Sequence, residues 1–166
     1  MATRHLKGLI RRYPHEHRHA TTLFYVYIQI GLLPSAEFLL AFLPTEIQLE
    51  ASAVLALAKE DYPSSAQKYS SMLDSTSHSS SLYSTNLALI HLYTANAQSA
   101  IAVLEPKLRE PRNPVGLLPH AAYNLCTMYE IRDDKARSRK EGIMESVVGR
   151  YGDVCGKAHF KLDSLR

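Results

Sequence analysis

Three alanines constrain this chain more than any other feature of it: Ala36, Ala66 and Ala100, spaced 30 and 34 residues apart. Five residues before each stands a small or turn-forming residue, Gly31, Asp61 and Ala95. Four residues further back, at the end of an amphipathic run, stand Tyr27, Leu57 and His91. A small residue at a fixed point of a period of about 34 residues is the mark of stacked helix–turn–helix repeats. Two helices of a hairpin approach closely only where a side chain is small, and alanine is also the best helix former. The spacing therefore predicts an all-α chain in which each of these alanines opens the second helix of a hairpin.

Composition agrees. The chain of 166 residues has the length of one ordinary domain, and 46% of it is hydrophobic, enough for a sizeable core. Lys and Arg number 19 against 16 acids, and a net charge of +3 does not point to nucleic acid. The two cysteines, Cys126 and Cys155, have neither metal-ligand nor disulfide-framework spacing, which suits reduced thiols. No apolar run approaches the ~18 residues of a membrane span, and no secretory apolar stretch follows Met1. Residues 2–13 carry Arg4, Lys7, Arg11 and Arg12 and no acid, with Leu6, Leu9, Ile10 and Tyr13 on one helical face. That pattern fits a presequence or a membrane-surface helix, but more simply a helix packed on the first hairpin.

Punctuation places the elements. The chain reads as one domain over 1–166: a basic segment over 1–14, hairpins over 15–44, 45–74, 79–110 and 117–150, and a capping helix over 153–165. Pro34 and Pro63 suit first turns of helices, where a missing N–H costs nothing. Thr45 with Gln48 reads as a capping box, and Asp61 as an N-cap. The serine-rich stretch from Asp74 to Ser81, with His78, and the break at Pro111, Asn113, Pro114 and Gly116 read as loops.

Position by position, Tyr27, Gly31, Ala36 and Leu40 match the tetratricopeptide pattern. In the second hairpin Ala66 is kept, but Tyr69 falls one place early. In the third, Ala95, Ala100 and Leu104 fit; in the fourth, Asp133 and Ser138 replace the small residues. The string Tyr123-Asn124-Leu125-Cys126-Thr127-Met128-Tyr129-Glu130, followed by a Lys/Arg-rich helix and Tyr151-Gly152-Asp153, resembles the C-terminal domain of subunit 12 of the transport protein particle (TRAPP) tethering complex. Ile28-Gln29-Ile30-Gly31 with Ala36-Glu37, and Leu92-Tyr93 leading to Ala100 and Leu104-Glu105, are similar to earlier repeats of that family. The first spacing of 30 departs from its pattern.

The resemblance implies a right-handed superhelix of about four tetratricopeptide-like hairpins with a C-terminal capping helix. It implies a non-catalytic scaffold in vesicle traffic from endoplasmic reticulum to Golgi and in autophagy, whose partners are the large peripheral TRAPP subunits. Other subunits would activate the Rab-type GTPase. The chain would then be cytoplasmic, peripheral to early secretory membranes, and reach the membrane only through the complex. The alternative is a chaperone-type or mitochondrial tetratricopeptide adaptor that binds a peptide segment and uses the basic N-terminal helix for targeting.

Catalytic readings are weak beside this. His15-Glu16-His17-Arg18-His19 matches H-E-x-x-H, but directly after Pro14 and with a charged inner Arg18. Cys126 sits in a packing slot, and only His91, one repeat away, could activate it. Serines 75–81 lack a nucleophile-elbow frame. No cofactor or metal is expected.

The expected surface is the concave one. Counted from the tyrosine slots, it presents Thr22, Tyr25, Ser52, Leu55, Asn86, Leu89, Tyr123, Asn124 and Thr127. Asn86 and Asn124 match the asparagine with which many such domains hold a ligand backbone. A carboxylate clamp would also need basic residues where Thr21, Ala51 and Thr85 stand, so a free acidic tail is not the expected ligand. A helix or extended segment of a partner suits the mildly apolar lining, unless the chain's own N-terminal helix fills it. Lys135, Arg137, Arg139 and Lys140 form a secondary basic surface on the last long helix.

Overall fold

The structure, a computed structural model, describes residues 2–13, 17–75, 80–109, 118–132 and 134–162. Among them every regular element is helical: α1 (Ala2–Arg12), α2 (His17–Gln29), α3 (Leu33–Leu40), α4 (Thr45–Ala58), α5 (Tyr62–Ser75), α6 (Ser80–Tyr93), α7 (Ala97–Arg109), α8 (Leu118–Arg132) and α9 (Ala136–Tyr151). Two short 3-10 turns follow, Gly152–Val154 and Lys157–Phe160. None of the described helices is long and apolar enough to cross a membrane. His15, Glu16, His78, Asp133 and the break around Pro111–Gly116 lie outside the described residues.

Three of the junctions are alike in their backbone bonding. Gly31, Glu60 and Ala95 each have positive φ, at 74°, 62° and 58°. The next residue's N–H reaches back five residues, Leu32 to Tyr27 O at 2.9 Å, Asp61 to Ala56 O at 2.9 Å and Asn96 to His91 O at 2.8 Å. The left-handed residue's own N–H bonds three back, to Ile28, Leu57 and Leu92. This pair of bonds is the Schellman ending, which satisfies carbonyls a helix terminus would otherwise orphan. The following helix then opens with the same bond each time: Ala36 to Leu32 O, Ser65 to Asp61 O and Ala100 to Asn96 O, all at 3.1 Å.

These bonds correct the second repeat by one residue. Its left-handed position is Glu60, not Asp61, and its close-packed position is Ser65, not Ala66. Ser65 is fully buried and donates its hydroxyl to Ala53 O at 2.9 Å, whereas Ala66 is half-buried. Ala36 and Ala100 are fully buried, as their positions demand. With the shift, Tyr69 lies four residues after the packed position, in line with Leu40 and Leu104.

Asp61 caps α5 by accepting the Ser64 N–H at 3.2 Å, and Asn96 caps α7 by accepting the Ser99 N–H at 3.1 Å. The capping box at Thr45 does not form: Pro44 holds the N-cap position, and Gln48 donates to Leu43 O at 2.8 Å. The capping helix expected over 153–165 is replaced through Phe160 by the two 3-10 turns, because Gly152 turns to φ 59° and Gly156 is extended. Ser138 is exposed, so the small-residue register ends with the third hairpin.

The chain divides into two compact units, residues 1–68 and 69–166. In the first, Leu23, Phe24 and Tyr27 of α2 pack with Ala36, Leu43, Ala51 and Leu55, and α1 adds Leu6 and Ile10. The N-terminal helix thus packs on the first hairpin. In the second unit α8 is central: Ala121, Ala122, Leu125, Cys126, Met128 and Tyr129 are all buried, against Ile101, Leu104 and Leu108 of α7, Ile143 and Val147 of α9, and Phe160. A helix apolar on several sides belongs in the middle of its unit.

Candidate interaction surfaces

In the first unit the expected concave residues have different fates. Thr22 is exposed, its hydroxyl donating to Arg18 O at 2.8 Å. Tyr25 is half-buried, edge-on to Phe24 at 5.2 Å between ring centroids. Ser52 is half-buried and lines a shallow cleft with Glu37, Leu40, Thr45 and Leu49. Leu55 is only 4% exposed, a member of the core, and presents no surface to a partner. The register explains it. Ala51 and Leu55, one turn apart, form the stripe with which α4 meets that core.

In the second unit the Asn86 side-chain amide donates to the Tyr69 hydroxyl at 3.1 Å, so this asparagine is tied to its own unit. Leu89, Asn124 and Thr127 are half-buried, and Tyr123 is 48% exposed. The chain's own last turn reaches this part of α8. Lys161, itself at positive φ of 51°, places Nζ 5.4 Å from the Tyr123 ring centroid and 3.4 Å from Thr127 Oγ1. The same ammonium pairs with Glu130.

Glu130 holds a second lysine. Lys140, only 1% exposed, donates to Glu130 Oε1 and to Lys161 O, the latter at 3.2 Å. The secondary basic surface is therefore not one solvated run. Lys140, Ile143 and Val147 lie at i, i+3 and i+7 and form the buried stripe of α9. Arg137 pairs with Glu141 at 3.1 Å, Arg139 lies 5.4 Å from the Tyr129 ring centroid, and Lys135 is exposed at the helix start. Burial by itself would raise the Glu130 carboxyl, but the hydrogen bonds from Lys140 and Lys161 outweigh it and hold the group below its ordinary range.

No protein-family model, curated protein or solved structure matches the chain. Its surfaces have to be read from their own chemistry. Of the H-E-x-x-H residues, His17 and Arg18 are exposed and His19 is half-buried. Burial pushes the Cys126 thiol up to about 11, and raises Cys155 as well; both are buried free thiols. A thiol held protonated is a poor nucleophile.

A surface that the repeat pattern did not single out lies on α3 and the turn that follows it. Phe38 and Phe42, one turn apart, are 69% and 58% exposed, with ring centroids 5.1 Å apart. The signal was there: two phenylalanines at i, i+4, where the one predicted packing position of the segment is already taken by Ala36.

Proposed function

We propose that the chain is a non-catalytic protein–protein scaffold of tetratricopeptide type, with hairpins wound into a right-handed superhelix. The observation that carries this reading is the junction at Gly31, Glu60 and Ala95, repeated with the same backbone bonds and followed each time by a buried small residue. A recurring junction of this kind is what helical-repeat scaffolds are built on, and such scaffolds hold partners on their exposed faces. The resemblance over 123–130 directs that scaffold to a TRAPP-type tethering complex in early secretory traffic, with large peripheral subunits as partners. The packing of Leu6 and Ile10 into the first core favours this over the adaptor reading, in which the N-terminal helix must be available for targeting.

The test is purification of the tagged full chain from cell extract. Large tethering-complex subunits recovered in near-equal amount with the chain are the expected result. Recovery of a chaperone or mitochondrial import partner instead, or of no partner, overturns the assignment.

A further inference from the structure

Phe38, exposed on α3, borders a concavity. Phe38 stands on one rim of a cleft of about 440 Å³ whose floor is formed by Ile10, Leu23 and Tyr27. Lys7 and Arg11 stand on the other rim, one turn apart on α1, and both are exposed. No carboxylate lines the cleft among the described residues, and residues 2–13 contain no acid at all. An apolar floor, an exposed aromatic rim and a rim of one charge sign are the parts of a peptide-anchoring site: a large side chain is desolvated in the middle while charges at the edge orient it.

We propose that this cleft receives an acidic segment of a partner protein. A large apolar side chain of that segment enters between Phe38 and Ile10, and flanking carboxylates pair with Lys7 and Arg11. The proposal rests on the scaffold reading and deepens it by giving the partner's chemistry. An anionic bilayer would also meet the basic helix, but Leu6 and Ile10 of α1 pack against the protein core, which leaves less of its apolar face to enter lipid. A concave floor suits an inserted side chain rather than a flat surface.

The test pans a random-peptide phage library against the full chain, then measures fluorescein-labelled copies of the enriched peptides by anisotropy. Enriched sequences are expected to carry Asp or Glu around Leu, Phe or Trp. Phe38→Ser should weaken them by about tenfold or more, as loss of an aromatic anchor does. Lys7→Glu with Arg11→Glu should weaken them by about threefold or more at low salt, with the gap closing as salt is raised. Ser35→Glu, which sets a carboxylate in the cleft lining against the acidic segment, serves in place of Phe38→Ser if the latter alters the melting curve.

The proposal is overturned if no peptide is enriched, if enriched peptides lack acids, or if the Phe38→Ser or Ser35→Glu variant binds them as the parent does. It is also overturned if only phosphatidylserine vesicles bind in a Phe38-dependent way. Should tethering subunits co-purify equally with the parent and these cleft variants, the scaffold reading stands and the cleft assignment falls. Should peptides bind the cleft while no such subunit is recovered, the reverse holds.

Discussion

Replacing Glu130 by glutamine tests the account of the second unit at its most consequential point. Glutamine keeps the shape and removes the charge, leaving the Lys140 ammonium, 1% exposed, with Lys161 O at 3.2 Å as its remaining acceptor. Breaking a fully buried ion pair from one side costs about 3–5 kcal/mol. The Glu130 side chain is 34% exposed and Lys140 keeps a carbonyl partner, so the cost here is reduced to about 2–3 kcal/mol. For a unit of this size that is a fall of about 10–20 °C in the midpoint of its thermal transition. Lys140→Met removes the charge that needs a partner, and in the Glu130→Gln background it should return stability to within about 1 kcal/mol of the parent. Calorimetry and circular dichroism melts of the four proteins form the double-mutant cycle.

Acid gives an independent check with a definite sign. The native Glu130 carboxyl is depressed. Its contribution is thus complete above the unfolded value of about 4.3 and is lost as pH falls through the lower native one. The gap between the parent and Glu130→Gln should be constant near neutrality and close below about pH 4. A Glu130→Gln protein that melts within about 3 °C of the parent, or a Lys140→Met single variant that loses as much as Glu130→Gln, would refute the reasoning.

Two further outcomes follow from the hairpins. Ser65→Leu should cost about 1–3 kcal/mol by overpacking, and Ala66→Leu clearly less, in urea titrations; equal costs would return the second repeat to the unshifted register. Glu60→Gly and Ala95→Gly should each raise stability by about 0.5–1 kcal/mol, because glycine adopts positive φ freely. Gly31→Ala, with nothing within 4 Å of its added Cβ, should lose a similar amount through backbone strain alone; opposite signs would disprove the left-handed junctions.

The helices were legible because their ends are punctuated. Pro34, Asp61 and Pro63 fix starts to within a residue, and the alternation of small and large residues gives the hairpins. The one-residue slip at the second hairpin arose because Ala66 looks more like its counterparts than Ser65 does. What sets the register is a backbone bond whose left-handed residue is a glutamate, and no propensity marks Glu60 for that role. The surfaces were less legible because exposure depends on what covers a helix. Leu55 and Lys140 were assigned to faces by counting along their own helices. Leu55 is covered by the first core, and Lys140 by Glu130 and Lys161, which are 10 and 21 residues away along the chain. The capping helix failed for a local reason that was visible, the glycines at 152 and 156.

The joint between helices in this chain is built on unlike side chains: glycine, glutamate and alanine all stand at its pivot, glycine alone without strain. What stays constant is an interval, five peptide units from the pivot to the buried small residue, secured by main-chain hydrogen bonds that every amino acid except proline can supply. The segments 27–36, 56–65 and 91–100 carry the same main-chain bonds at equal length, so the joint is recognised by its backbone where its sequence differs.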